Sequence, residues 1–387
     1  MTRPGMAVLT TLVIAVSACS SSDDAPPPAV SLAWRQAALT LPAGVSGAPV
    51  VRDAVVCGSD WFVVGAVRDR EGATGPAAWQ SSGDLSSWVP VRVDAQSYYG
   101  RQNVLFTVAC RDGRLAAVGA KPGGAHGNPR VSSWLRGDDG VLHEVSAASF
   151  ELYGGPKAVN VSRMTAGPAG FLITGNRASG AAVWSSADAA EFELSEGTPG
   201  LASDPAGITW AADGAGTERG WLVVGGVLPA GRTDRDALGW RSDGDGVWRR
   251  VAAAGATAEY EELQRVAVIG GTPVALGVRG PVFGVWRLES DQWRPASAFG
   301  SVRPSAWSGV RAVARAGSWV LAAVGDGSAY GLWASGDDGA RWQPADLPAP
   351  VPGAAGTALS VTAGPGRVVL CWDDGVTGRI YAAPAPA

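Results

Sequence analysis

The fold is decided within residues 221–251, which contain the apolar runs Trp221-Leu-Val-Val-Gly225, Ala237-Leu-Gly-Trp240-Arg-Ser242 and Val247-Trp248-Arg-Arg-Val251. A polar loop separates the first two runs, and the turn Asp243-Gly-Asp-Gly246 separates the last two. Gly207-Ile-Thr-Trp210 precedes them as a weaker run. Short runs between Gly/Asp turns predict antiparallel β-strands, and no stretch shows sustained helical periodicity. The stretch therefore predicts a unit of four short strands.

The unit repeats along the chain, and a tryptophan marks its third strand. The marker positions are Trp79, Trp134, Trp184, Trp240, Trp286 and Trp333, with Tyr381 in the same place at the end. A period near 50 residues is typical of repeat proteins, and four strands per unit predict a β-propeller blade. The tryptophans are interpreted as packing between neighbouring blades.

Counting units gives six complete blades and an incomplete seventh. Residues 357–383 supply three strands, and residues 32–39, with a packed Trp34, resemble the missing fourth. Pairing the two chain ends would remove open strand edges. The predicted fold is therefore all-β: a seven-bladed propeller over residues 31–387, with a closing blade of one N-terminal and three C-terminal strands.

The N-terminal segment predicts export and anchoring. Residues 1–18 have a basic Arg3 and an apolar stretch from Met6 to Val16 that is too short to span a bilayer, as in a signal peptide. Val16-Ser-Ala-Cys19 resembles the bacterial lipobox, which implies acylation of Cys19. Residues 19–30 would then tether the protein to the lipid membrane, at the outer face of the cytoplasmic membrane. The alternative is an ordinary secretory signal with a chance cysteine.

The charge, histidine and cysteine content limits the classes of ligand that the protein could bind. The formal net charge is −4, which gives no electrostatic footprint for nucleic acid. The two histidines, His126 and His143, cannot form a metal cluster, and no cofactor motif is present. Cys57 and Cys110 end the first strands of adjacent blades, so this register permits a disulfide in an exported protein, whereas Cys371 lies in an apolar strand.

A family resemblance lies in the turns between third and fourth strands. Ser335-Gly-Asp337-Asp-Gly339-Ala-Arg-Trp342 matches the Asp-box pattern Ser-x-Asp-x-Gly-x-x-Trp, and Ser82-Gly-Asp84-Leu-Ser-Ser-Trp88 is a degenerate copy. The chain therefore resembles the bacterial neuraminidase-repeat, or sialidase-like, propellers. In that family the boxes are structural and lie on the face opposite the active site. The resemblance thus implies structural residues and no catalytic ones.

Candidate ligand-binding residues lie on the first strands, which line the axis of a propeller. They are Arg52, Arg163, Arg265 and Arg311, together with Tyr260 and Glu261. Sialidases use an arginine triad, an acidic acid/base and a Tyr–Glu pair. The Phe/Tyr-Arg-Ile-Pro segment of sialidases is absent here, and sialidases have six blades. Three interpretations remain: solvated or internally paired arginines, an anion-binding channel mouth, and a working glycosidase.

Two functions follow from these features. The first is an extracytoplasmic binding module for an envelope protein or an anionic glycan, without chemistry. The second is an exo-sialidase-like glycoside hydrolase. In either case the expected working face holds the fourth-to-first and second-to-third strand loops, which carry Tyr98, Tyr99, Arg101, Arg232, Asp234, Arg235 and Trp307. Aromatic rings beside arginines suit carbohydrates and acidic partners.

Overall fold

A computed structural model describes residues 29–123, 127–145, 149–244, 246–255 and 257–386 of the 387-residue chain. Within these residues the strands form seven separate sheets, each with four antiparallel strands. The first strands of consecutive sheets contact each other in turn, and the first strand of the last sheet contacts that of the first. This closed ring is a seven-bladed β-propeller, as the sequence predicted. The signal peptide, Cys19 and His126 lie outside the described residues.

The strands of each blade run outward from the channel. Blade 1 has Ala48–Cys57, Asp60–Arg68, Thr74–Ser81 and Ser87–Val91; blade 2 has Val104–Arg111, Arg114–Lys121, Arg130–Arg136 and Leu142–Glu144; blade 3 has Ala158–Gly167, Gly170–Arg177, Gly180–Ser186 and Glu193–Ser195; blade 4 has Gly207–Thr217, Gly220–Pro229, Asp236–Ser242 and Arg249–Ala252. Blade 5 has Glu261–Ile269, Thr272–Arg279, Val282–Glu289 and Gln292–Phe299; blade 6 has Gly309–Ala316, Trp319–Gly325, Ala329–Ser335 and Gln343–Ala345; blade 7 has Thr357–Gly364, Arg367–Asp374, Gly378–Pro384 and Arg35–Gln36.

Shorter elements lie between or beside the blades. Ala38–Leu39 and Val93–Asp94 add parallel outer strands to blades 1 and 2, and Val351–Pro352 pairs with the third strand of blade 6. A 3₁₀ turn spans Gly100–Gln102, and one short α-helix, α1, spans Ser149–Tyr153. We call the face where the first strands begin the upper face and the opposite face the lower face.

The N-terminal segment closes the ring as predicted and reaches further than predicted. Arg35 and Gln36 pair with Ala382 and Tyr381, which completes blade 7. Before that, Val30 bonds to blade 6, and after it Ala38–Leu39 join the edge of blade 1. The segment therefore contacts three blades, 6, 7 and 1, in turn.

The anchoring side chains of this segment differ from the sequence expectation. Leu32 and Ala37 are buried between blades, whereas Trp34 is only partly buried and donates its indole N–H to the Asp346 carbonyl at 2.8 Å. Trp34 lies where the segment passes over the outer rim, so one side of its ring stays in contact with solvent. Leu32 is thus the main apolar anchor of the segment.

The core consists of seven apolar clusters, one at each blade interface of the described chain. The third-strand tryptophans of blades 1 to 5 are fully buried in them. Three also donate their indole N–H to the loop entering their blade, Trp79 to Thr40, Trp184 to Leu152 and Trp240 to Gly200, each at 2.9 Å. The periodic tryptophan therefore fills the interface and also holds the preceding connection in place.

Candidate binding site in the axial channel

A shared irregularity places side chains in the channel. In the first strand of blades 1 to 6 the pairing register shifts at the same position, so one residue bulges out of the ladder. The bulged residues are Arg52, Phe106, Ser162, Ala212, Gln264 and Arg311. A bulge redirects the neighbouring side chains, and bulges are common next to binding sites.

In three blades the side chain of the residue after the bulge accepts a hydrogen bond from the backbone of the neighbouring blade. Asp53 accepts the backbone N–H of Val108, Thr107 that of Met164, and Asp213 that of Val266, each at 3.2 Å. Each bond runs from one first strand to that of the next blade. In blades 3 and 5 the equivalent residue is Arg163 or Arg265, which cannot accept. In blade 6 it is Ala312, so acceptors occupy this position in blades 1, 2 and 4 and arginines in blades 3 and 5.

Arg163 is fully compensated. Its Nη2 lies 3.0 Å from Asp53 Oδ2, and its Nε lies 3.7 Å from Asp213 Oδ1. Burial lowers the pKa of Arg163, but the two aspartates outweigh it, so the pKa lies above its ordinary value. Arg163 therefore links blades 1, 3 and 4 through charge and is a structural cation.

The charge of Arg265 is not balanced by neighbouring carboxylates, unlike that of Arg163. Within the described residues it has no carboxylate at ion-pair distance, and it donates instead to the carbonyls of Arg311 (2.7 Å from Nε) and Gln264. Burial lowers the pKa of Arg265 to about 10, and the nearby charge of Arg163 adds to the effect. Its positive charge is thus held in an unfavourable environment.

Arg311 is a second cation without a carboxylate among the described residues. Its Nη2 donates to the carbonyls of Ser308 (3.3 Å) and Ala306 (3.4 Å), and its guanidinium lies 5.6 Å from the centre of the Tyr330 ring. Its Nε is buried and has no hydrogen-bond partner in the described structure. Arg311 keeps donor capacity that its neighbours do not use.

The channel cluster carries an excess of positive charge. Its members are Arg52, Arg163, Arg265, Arg311, Asp53, Asp213 and Asp373, so four arginines face three aspartates. The aspartates contact Arg52 and Arg163. The remaining charge therefore lies on the side of Arg265 and Arg311.

Two cavities occupy the channel. The upper one, about 210 Å³, is lined by Arg163, Arg265, Arg311, Trp210, Glu262 and Gln264 among others. The lower one, about 290 Å³, is lined by Arg163, Arg265, Asp213 and Cys110 among others. Because Arg163 and Arg265 line both, they form the floor between the two cavities. The upper cavity presents three guanidinium groups, which suits a small anion.

Arg52 lies apart from the other three arginines. It contacts Asp373 at 2.6 Å and the Gly356 carbonyl at 3.1 Å, and so joins blades 1 and 7. The sequence places Arg52 and Arg163 at similar positions, but Arg52 is a bulged residue and Arg163 follows the bulge. Arg311 is also a bulged residue and still lines the upper cavity, so the contact with Asp373, and not the bulge, separates Arg52 from the others. The structure therefore brings together Arg163, Arg265 and Arg311 only.

Tyr260 and Glu261 do not face the arginines as a pair. Glu261 is buried, and Arg279 Nε donates to it at 3.1 Å; burial raises the pKa of Glu261. Tyr260 lies on the other side of the strand start, where Arg235 Nη1 approaches its hydroxyl at 3.4 Å, and burial raises its pKa to about 12. Adjacent strand residues point to opposite faces, which explains the separation.

Sequence reasoning missed the polar rim of the upper cavity. Glu262 accepts from Arg235 at 2.6 Å and from Gln264 Nε2 at 2.9 Å, and Arg235 covers the Trp210 ring. Tyr260, Glu262 and Gln264 line one further cavity of about 420 Å³ between blades 5 and 6. Their alternation along the strand was the available signal.

The Asp-box residues build turns on the lower face. Ser335 Oγ accepts the Gly339 N–H at 2.9 Å, and Asp337 accepts from the backbone and side chain of Arg341 at 2.8 and 2.9 Å. Trp342 stacks on Phe299 of blade 5, with ring centres 4.5 Å apart. In blade 1, Asp84 accepts the Ser86 N–H at 3.0 Å and Trp88 is fully buried, while Ser82 is exposed at the same turn. These contacts are local to the turns.

A disulfide joins the ends of two first strands near the lower cavity. Cys57 of blade 1 and Cys110 of blade 2 are bonded, with Cα atoms 5.4 Å apart. Cys371 is a buried free thiol, and burial raises its pKa. Among the described residues, no group of His, Cys, Asp and Glu side chains could hold a metal ion, and no helix is long and apolar enough to cross a membrane.

No family model matches the chain, and no curated protein matches it significantly. Solved structures do match. The β-propeller domain of the Trilobed protease from Pyrococcus furiosus has 10% identity and a TM-score of 0.47, covering 88% of this chain and 94% of that one. The Malassezia sympodialis allergen Mala s 1 has 13% identity and a TM-score of 0.42, covering 78% and 95%. The periplasmic gluconolactonase of Pseudomonas aeruginosa has 15% identity and a TM-score of 0.44, covering 76% and 84%.

Proposed function

We propose that this protein is an extracytoplasmic binding module that captures an anionic ligand at the upper mouth of its channel. The ligand would be an anionic glycan or an acidic group of an envelope protein. The supporting observation is that Arg265 and Arg311 line one cavity, and neither forms an ion pair with a described residue. Holding a desolvated cation without a counter-charge is costly. A bound anion would supply the missing charge.

The donor geometry suits a carboxylate. Guanidinium groups bind carboxylates through two parallel hydrogen bonds, and Arg311 still has unused donors. Gln264 is held in place by Glu262 (2.9 Å) and by the Val310 N–H (2.7 Å), so the rim of the cavity is already ordered. A ligand would meet a site that needs little rearrangement, which favours affinity.

Binding is better supported than hydrolysis. A sialidase-type nucleophile pair needs a tyrosine and a glutamate side by side, facing the arginines. Here Glu261 is buried against Arg279, and the pKa of Tyr260 is raised to about 12, which disfavours its anion. Asp53 and Asp213 already accept bonds from Arg163 and the backbone. The exo-sialidase-like glycoside hydrolase remains the alternative function.

Two further parts of the proposal are supported by sequence. The lipobox-like Val16–Cys19 supports a lipoprotein anchored through acylated Cys19 to the outer face of the cytoplasmic membrane. The box at residues 335–342, together with its turn contacts, supports grouping the chain with the neuraminidase-repeat propellers.

The test is binding of the full chain, purified in non-ionic detergent, to an array of neutral and acidic glycans at low and high salt. Arg265→Gln and Arg311→Gln should each weaken acidic-glycan binding roughly tenfold, as expected for the loss of a charge-assisted hydrogen bond. Arg70→Gln is the matched control, since Arg70 is an exposed arginine on the same face. Affinity should fall as salt rises.

A fluorogenic sialoside assay on the same samples distinguishes the alternative. Turnover that disappears in Arg311→Gln would replace the binding proposal by the glycosidase. Acidic-glycan binding that is equal in the wild type, both channel variants and the control would show that the channel arginines take no part. Urea unfolding of each variant shows whether a loss of binding or turnover is caused by unfolding of the propeller.

A further inference from the structure

A cluster of exposed aromatic rings lies on the upper face, carried by the connections that enter and leave blade 2. Tyr98 is 67% exposed, Tyr99 42% and Phe150 59%, and among the described residues no other aromatic side chain is as open to solvent. The Arg130 guanidinium lies between two of the rings, 5.5 Å from the centre of Tyr99 and 4.9 Å from that of Phe150. We call Tyr98, Tyr99, Arg130 and Phe150 the aromatic platform.

A buried carboxylate holds the loop that presents the two tyrosines. Glu144 accepts the backbone N–H groups of Gln96 and Ser97, both at 2.8 Å, and the hydroxyls of Ser97 (2.6 Å) and Ser132 (2.7 Å). A Cβ at Gly100 would come within 2.0 Å of Glu144 Oε2, so only glycine allows this approach. Such a network is expensive unless fully satisfied. Here it fixes a loop whose tip contributes little to the core.

The helix that presents Phe150 is fixed as well. Trp184 Nε1 donates to the Leu152 carbonyl at 2.9 Å, and Arg177 Nη1 donates to the Gly154 carbonyl at 2.8 Å. Tyr153 is buried against Trp184, with ring centres 5.6 Å apart. The rings of the platform are therefore presented by two rigid elements, and a ligand would not have to order them.

One arginine lies between the rings and another in the loop that carries the tyrosines, and one carboxylate, Glu151, follows Phe150 on α1. Neither Arg130 nor the neighbouring Arg101 makes an ion pair with a described residue, and Arg101 Nη1 donates only to the Gln96 carbonyl, at 3.0 Å. The rings do not form one flat apolar surface, because Tyr98 and Tyr99 contact each other edge to face at 78° and the Arg130 guanidinium lies between Tyr99 and Phe150. Separated rings among polar groups do not form the continuous apolar area of a stable protein interface.

We propose that the aromatic platform is a second binding site, for an acidic polysaccharide. Sugar rings would stack with their C–H faces on Tyr98 and Phe150, and uronate carboxylates would pair with Arg130 and Arg101. The site shares no residue with the channel cavity. It therefore stands whether or not the channel binds an anion.

The test is calorimetric titration of the full chain in non-ionic detergent with hexagalacturonate, and with maltohexaose as the neutral probe. Tyr98→Ala and Phe150→Ala should each weaken hexagalacturonate binding roughly three- to tenfold, the range for one aromatic contact. Arg130→Gln should reduce the salt dependence. Val376→Ala, an exposed apolar residue on blade 7, should change nothing.

The outcomes separate the two sites. Hexagalacturonate binding that is weakened in Tyr98→Ala and unchanged in Arg265→Gln and Arg311→Gln supports the platform. Binding lost in the arginine variants but retained in Tyr98→Ala and Phe150→Ala assigns this ligand to the channel and overturns the platform. Absence of hexagalacturonate binding by the wild type, or equal affinity for maltohexaose, also overturns it. Tyr98 and Phe150 are exposed, so their variants should keep the wild-type unfolding midpoint.

Discussion

Replacing Asp213 by asparagine should destabilise the propeller by about 3 kcal/mol. The Asp213 side chain is 9% exposed and its Oδ1 lies 3.7 Å from Arg163 Nε. The substitution removes one of the three carboxylates that oppose the four channel arginines. Breaking a buried ion pair costs roughly 3–5 kcal/mol, and the lower end applies for two reasons: Arg163 keeps Asp53 at 3.0 Å, and burial raises the pKa of Asp213, so its charged form is itself costly to hold. Asparagine retains an oxygen that can accept the Val266 N–H, so the lost stability measures the removal of the negative charge.

The assay is urea unfolding followed by tryptophan fluorescence. Asp112→Asn is the control, because Asp112 forms an ion pair with Arg111 but is 84% exposed, and such pairs contribute about 0–1 kcal/mol. Adding Arg265→Gln to Asp213→Asn should restore part of the lost stability, with a coupling of roughly 0.5–3 kcal/mol. Sulfate should stabilise Asp213→Asn more than the wild type.

The reasoning is refuted if Asp213→Asn costs no more than Asp112→Asn, or if the double variant is simply additive. Either result would mean that water or rearrangement already compensates the channel charge. The lack of a carboxylate beside Arg265 would then carry no free-energy cost for a bound anion to offset. The main support for anion capture in the channel would be removed.

Three further predictions concern the chain ends and the turns. Leu32→Ala should cost about 2–4 kcal/mol in urea unfolding, because Leu32 is 7% exposed, whereas Ser31→Ala at the exposed neighbour should be neutral; equal effects would refute the anchoring role. Asp337→Asn should destabilise at neutral pH. Bonds from Arg341 lower the Asp337 pKa to about 2, so this contribution is complete above about pH 4 and is lost as the pH falls through the folded-state pKa. A melting-temperature difference that persists at about pH 2 would contradict this. Cys19→Ser should abolish labelled-palmitate incorporation and membrane partitioning, and an acylated Cys19→Ser protein would disprove the lipobox interpretation.

The channel shows where sequence reasoning reaches its limit. The repeat places Arg52, Arg163, Arg265 and Arg311 in equivalent strands, and three of them do line one cavity. Arg52 does not, because its guanidinium is held at blade 7 by Asp373 and by the Gly356 carbonyl. Which carboxylate lies beside an arginine depends on how blades that are distant in sequence meet, as with Arg52 and Asp373, and a single sequence does not report those contacts.

Tryptophan periodicity, Gly/Asp turns and the apolar second strands determined the seven blades and the closing strand, since these signals are local and repeat along the chain. The Asp-box turns were equally local. The sequence pointed to Tyr98, Tyr99 and Arg101 in one loop, but not to Phe150 and Arg130, which join the aromatic platform only because the loop, strand and helix meet in space. The neighbours of a charged group likewise come from distant blades, as with Asp53 and Arg163. Propeller architecture is encoded in each repeat, whereas the charge balance of the channel and the platform on its surface exist only in the folded ring.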